Sequence, residues 1–282
     1  MEGVIPAIES AHAVAYAMKL APTFLRTKSS SFAYRAAEIR TLRPLPDIRG
    51  LISMTRLTDA FKNKKAFIPF VTAGDPDLST TEALIYAMEE AGASVIELGI
   101  PFSDPVAEGP VIQEADNRAL AAGFRIDALF DLLEKVREKT EIPLVFLTYA
   151  NPIFTYGREA FFTRCAKASI DGVIVPDVPF EERATLLPFA REKGIALISL
   201  IAPTSHERVQ MLAREAEGYI YLVSSMGVTG VREKITTDLK EIVEKIREVS
   251  NQPVAVGFGI ARPEQAAQMA DISDGASWGA PS

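Results

Sequence analysis

Two carboxylates define the chemistry open to this sequence. Glu97 stands inside an apolar run, between Ile96 and Leu98, and Glu108 follows in the loop sequence PFSDPVAEGP (101–110). A carboxyl set among apolar groups loses solvation, which raises its pKa and suits it to general acid–base work. The competing reading of Glu97 is a buried carboxylate paired with a structural partner. Asp104 competes with Glu108 as the second carboxylate, although Asp before Pro is commonly a turn residue. Two glycine-bearing loops, SSMGVTG (224–230) and GFGI (257–260), point to an anion. Glycine lets backbone N–H groups approach a phosphate closely. Either loop alone is a weak signal; two on successive strands are a stronger one. His206, the only histidine after residue 53, falls at a helix start as a solvated surface residue, which argues against histidine catalysis.

The elements that position these groups repeat regularly from Met54 onward. Apolar runs rich in β-branched and aromatic residues occur at 66–72, 94–99, 143–148, 172–175, 195–201, 219–223 and 253–258. Being apolar on both faces, they read as buried parallel strands. Helical periodicity is clearest at 79–91, 126–139, 180–193, 206–215 and 238–250, with capping residues at 75–77 and 204–205. Alternation of this kind predicts a parallel α/β fold, and seven units favour a (β/α)8 TIM barrel over an open sheet. In a barrel the C-terminal strand ends form the active-site mouth, where Glu97, Tyr149 and the glycine loops would converge. The eighth unit should begin near Asp274, but residues 275–282 (GASWGAPS) do not read as a strand followed by a helix. The expectation is a barrel lacking its eighth βα unit.

Across residues 54–274 the chain resembles the α-subunit family of tryptophan synthase. The likeness is carried by FIPFVTAGDP (67–76), IELGIPFSDPVAEGP (96–110), YANPIF (149–154), PDVPFEE (176–182), SSMGVTG and GFGI. The strand-borne glutamate followed by PFSDP is its most specific part. The resemblance implies a carbon–carbon lyase of tryptophan biosynthesis, cleaving indole-3-glycerol phosphate to indole and glyceraldehyde 3-phosphate without metal or organic cofactor. It implies Glu97 as general acid/base and Glu108 at the position that binds the indole N–H. The family typically has Asp there, so this carboxyl sits on an arm one methylene longer. It also implies Phe70, Thr72, Leu147, Tyr149, Tyr221 and Phe258 around the indole, and Thr229 in a mobile loop. Gly230, Gly259 and Gly279 match phosphate contacts, with Ala280 where a phosphate-binding Ser would stand. A β-subunit partner in an α2β2 heterotetramer and a cytoplasmic location are likewise implied.

The front of the chain differs in composition. Residues 1–53 carry seven Lys/Arg against four Asp/Glu, whereas the remainder carries 23 against 33. They divide the chain into a non-barrel extension (1–53) and a barrel domain (54–282) truncated at its C-terminus. Residues 1–20 resemble a C-terminal segment of the tryptophan synthase β subunit. Codons permitted for residues 32–43 can be read in a shifted frame as a β-like tail. A transit peptide over 21–53 is the minority reading, because an acidic, apolar stretch precedes it. A frameshift joining two neighbouring genes, with Met54 as the natural start, is the expectation, and a second slip would explain 275–282. Translating the encoding DNA in three frames tests both.

Composition limits the other function classes. The net charge of −7 disfavours nucleic acid, no apolar run reaches the length of a membrane span, and the single Cys165 excludes an internal disulfide framework. Two alternatives to the lyase stay open. One is a catalytically impaired or non-catalytic chain that binds a β subunit; the other is a different phosphate-binding barrel lyase or isomerase.

Overall fold

The computed structural model describes residues 56–203, 205–224, 232–257 and 263–279. Strand β1 (Ala66–Thr72) leads through α1 (Leu78–Glu90) to β2 (Ile96–Gly99). Helices α2 (Pro110–Ala121) and α3 (Ile126–Val136) precede β3 (Leu144–Leu147), and α4 (Ala150–Tyr156) and α5 (Arg158–Lys167) precede β4 (Gly172–Ile174). A 3-10 helix (Phe180–Thr185) and α6 (Leu187–Glu192) follow. Then come β5 (Ala196–Leu197), β6 (Ser199–Ile201) and α7 (His206–Arg214). The chain continues through β7 (Ile220–Val223), α8 (Arg232–Arg247), β8 (Val254–Gly257), α9 (Pro263–Ile272) and β9 (Gly275–Trp278).

Among the described residues these nine strands form one parallel sheet in the order β5-β4-β3-β2-β1-β9-β8-β7-β6. Its two end strands, β5 and β6, are separated only by Ile198, so they are halves of one interrupted strand and the sheet closes on itself. The expected TIM barrel is therefore present. The reading of residues 275–282 requires correction: Gly275–Trp278 is the eighth barrel strand. It pairs with β1 (Ala66↔Gly275 through Pro69↔Trp278) and with β8 (Ala255↔Gly275, Val256↔Ala276). GASW has weak strand propensity, but the strands on either side present unpaired backbone groups that it satisfies, and that tertiary demand overrides propensity. The barrel thus lacks the open edges that a missing eighth strand would leave.

Period-two alternation explains why the strands looked apolar throughout. Ile68, Phe70, Val145, Leu147, Ile174 and Tyr221 fill the barrel interior. Their neighbours Val71, Leu98, Phe146 and Val173 face the helices, as do Leu222, Val256 and Trp278 on the other half of the barrel. Both faces are buried, one by the barrel and one by its helical jacket. At the N-terminal end, Leu57 and Phe61 plug the interior, with the Phe61 ring 5.4 Å from that of Tyr219. Asp171, also at this end, is held by Arg56 at 2.8 Å and Arg137 at 3.1 Å, a structural carboxylate with its counter-charges in place.

Boundaries moved in predictable ways. The segment read as one helix at 180–193 is a 3-10 helix followed by α6, with Pro188 in the first turn of the latter. Helices α2, α4, α5 and α9 were not read from periodicity, their apolar stripes being short or interrupted by polar residues. Asp77 does cap α1, accepting the Thr80 N–H at 2.7 Å.

Candidate active site

Glu97 reaches the interior because alternation along β2 turns it inward, opposite Phe70 on β1 and Val145 on β3. It is 1% exposed. Its Oε1 accepts a hydrogen bond from the Tyr219 hydroxyl at 2.7 Å, and its Oε2 accepts one from the Ser277 hydroxyl at 2.8 Å. Ser277 Oγ in turn accepts from the Tyr221 hydroxyl at 3.3 Å. Both donors favour the carboxylate, yet burial outweighs them and pushes Glu97 up to about 7. Burial raises Asp171 as well, but two guanidiniums oppose it there, whereas Glu97 receives only neutral hydroxyls.

The loop after β2 carries the second carboxylate. Asp104 turns to solvent and bonds Ser103, while Glu108 is half-buried and faces the Tyr149 hydroxyl. Of the two candidates, Glu108 is the half-buried one and Asp104 the exposed one. Tyr149, 1% exposed at the start of α4, accepts the Ala107 N–H at 3.2 Å and packs its ring 5.3 Å from Phe102. Burial pushes Glu108 above its ordinary range. The neighbouring carboxyl of Asp116, 3% exposed on α2, is pushed to about 8 by burial and then by the charge of Glu108.

The remaining expected residues lie around this mouth where they are described. Phe70 and Thr72 are on β1, Leu147 ends β3 and Tyr221 is on β7, all of them buried. Tyr221 lies so close to Gly257 that a Cβ there would stand 2.1 Å from the tyrosine Oη, so only glycine fits. Gly279 follows β9 directly, its position facing the Phe70 ring. Thr229, Gly230, Phe258 and Gly259 lie outside the described residues, as does the whole of 1–53. His206 is exposed, as expected, and meets Lys245 at 3.0 Å.

Three contributors escaped the sequence reading. Tyr219 is two residues before Tyr221 and shares its inward face, a signal available from the strand period. Asp116 lies on the helical stripe Ile112-Ala115-Asp116-Ala119, where a lone carboxyl among small apolar residues marks a buried charge. Ser277 gave no usable signal, because its strand was not recognised. A separate cavity of about 190 Å³, lined by Val175, Phe180, Arg183, Leu200 and Arg208 among others, includes neither Glu97 nor Glu108.

A family model described as "Tryptophan synthase alpha chain" matches residues 57–281. A relative named tryptophan synthase alpha chain from Lacticaseibacillus casei is 51% identical over 222 residues, spanning 79% of this chain and 84% of the relative. The tryptophan synthase subunit alpha structure from Campylobacter jejuni superposes with a TM-score of 0.72 at 36% identity, covering 76% of this chain and 86% of that one. The tryptophan synthase complex structure from Pyrococcus furiosus gives 0.67 at 34% identity, covering 76% and 87%.

Proposed function

Because this chain belongs to the tryptophan synthase alpha chain family, we propose that the mouth just described is its lyase site, with Glu97 moving the protons and Glu108 facing the indole nitrogen. The reaction is the retro-aldol cleavage of indole-3-glycerol phosphate. A proton added at indole C3 makes the ring a cationic indolenine. Loss of the proton from the adjacent glycerol hydroxyl forms the aldehyde carbonyl as the C–C bond breaks, and the bonding pair returns to the ring. One proton enters and one leaves, so a single group can serve both steps.

Glu97 carries this reading. A carboxyl that titrates at about 7 has both forms present near neutrality, the condition under which one residue can give and then take a proton. Its oxygens are engaged inward by Tyr219 and Ser277, so reaching substrate requires rotation about its own side-chain torsions. Glu108, half-buried beside Tyr149, supplies the negative charge that a developing indolenine cation needs. Phe70, Leu147 and Tyr221 offer flat apolar surface for the ring. The backbone at Gly279, with the loops bearing Gly230 and Gly259, is assigned to the phosphate.

The cleavage releases neutral indole, and the family's partner, a tryptophan synthase β subunit, is the proposed acceptor; cytoplasmic location is proposed on the same ground. The paired strand Gly275–Trp278 weighs against reading the chain as non-catalytic. Indole release from indole-3-glycerol phosphate, followed with and without a β subunit, tests the assignment. Activity abolished in Glu97→Gln supports it; unchanged activity removes Glu97 from the mechanism.

A further inference from the structure

We propose that Asp116 is a positioning residue for this lyase, donating a hydrogen bond from its protonated carboxyl to Glu108 and so holding that carboxylate toward the indole nitrogen. The inference rests on the role assigned to Glu108 above. Asp116 is 3% exposed on α2, and its carboxyl meets Glu108 from the β2 loop, the Thr72 side chain from β1 and the backbone of Phe102. Tyr149, at the start of α4, approaches the pair from the Glu108 side. The nearest cation along the same helix, Arg118, is engaged in a two-point bond to Asp75, at 3.0 and 2.8 Å.

Two ionised carboxylates cannot share such a space without strong repulsion, whereas one proton between them makes a short charge-assisted hydrogen bond. Glu108 Oε2 is the atom that calls for this proton: it is buried and, among the described residues, has no hydrogen-bond partner. Burial and the Glu108 charge raise Asp116 to about 8, so the proton resides on Asp116 and the charge on Glu108. The pair then carries a single negative charge at neutral pH. Above about pH 8 the proton leaves, the carboxylates repel, and Glu108 is pushed from its place. The arrangement also answers the extra methylene of Glu108, because a longer arm gains from a second fixed point.

The experiment compares the full chain with Asp116→Asn and Asp116→Leu, measuring kcat and KM for indole release from about pH 6 to about 9.5. Asparagine offers an N–H donor that does not titrate; leucine offers none. Wild type and Asp116→Asn share the loss that follows the Glu97 titration at about 7; wild type shows a further fall in kcat above about pH 8, and that further fall is absent in Asp116→Asn. Asp116→Leu loses about tenfold or more in kcat, the equivalent of one misplaced hydrogen bond, and asparagine rescues most of it. A purely structural residue would shift the melting temperature without changing the pH profile. A profile of Asp116→Asn that superimposes on wild type, or a fully active Asp116→Leu, overturns the proposal. Glu108→Gln separates the two levels. If it is fully active, the Glu108 assignment falls and this proposal with it. If it is impaired while Asp116→Asn follows the wild-type profile, the role of Asp116 alone falls.

Discussion

Glu97→Gln should make the protein inactive and, at alkaline pH, more stable. Glu97 titrates at about 7 in the folded chain against 4.5 as its ordinary value. Below pH 4.5 both folded and unfolded states hold the proton, and its contribution to stability is fully present. Between 4.5 and about 7 the unfolded chain releases the proton while the folded chain retains it, so stability falls as pH rises. At about 1.4 kcal/mol per pH unit, the total loss is roughly 3 kcal/mol, complete above pH 7. Full burial leaves no solvent screening to reduce it. Glutamine does not titrate, so its packing and hydrogen-bond differences add a constant. The pH-dependent part of the comparison therefore isolates Glu97. Urea unfolding of both proteins from about pH 4.5 to about pH 8 gives the difference directly. It should move by roughly 3 kcal/mol in favour of the variant, while indole release drops by at least about 100-fold, the usual scale of a lost general acid–base group. A difference constant to within about 0.5 kcal/mol across that range would refute the assignment of a neutral buried carboxyl.

Other perturbations test separate parts of the site. Ser277→Ala removes the donor to Glu97 Oε2, so Glu97 should titrate about one pH unit higher still, visible by carbon NMR of the carboxyl; an unmoved titration would show that Ser277 does not hold it. Gly257→Ala places a methyl 2.1 Å from the Tyr221 hydroxyl, and should raise KM about tenfold while costing about 1–3 kcal/mol; unchanged binding would exclude Tyr221 from the pocket. Arg118→Ala strands the buried Asp75 carboxylate. Because Arg118 is about a third exposed, the expected cost is about 2 kcal/mol rather than that of a fully buried pair. A double-mutant cycle with Asp75→Asn should recover part of it, and additive losses would show no coupling.

The repeating units and the buried, inward position of Glu97 were legible in the chain itself. Alternation and helical period are local properties, so seven strands could be read without knowing what they pack against. The same locality put Glu97 on an inward face and Tyr149 at a strand end. Local reading failed at Gly275–Trp278, where small residues and a tryptophan form a strand only because β1 and β8 flank the gap. Closure belongs to the barrel as a whole, and with it came Ser277, 180 residues from the carboxylate it contacts. Asp116 shows the same division: its place on an apolar helical stripe marks it as buried, but not that Glu108 is the group it faces. Sequence determined which groups were present and which way each strand turned them. Only tertiary structure decided which of them met, because burial and neighbouring charge, and hence the proton each carboxyl carries, arise from residues far apart in the chain.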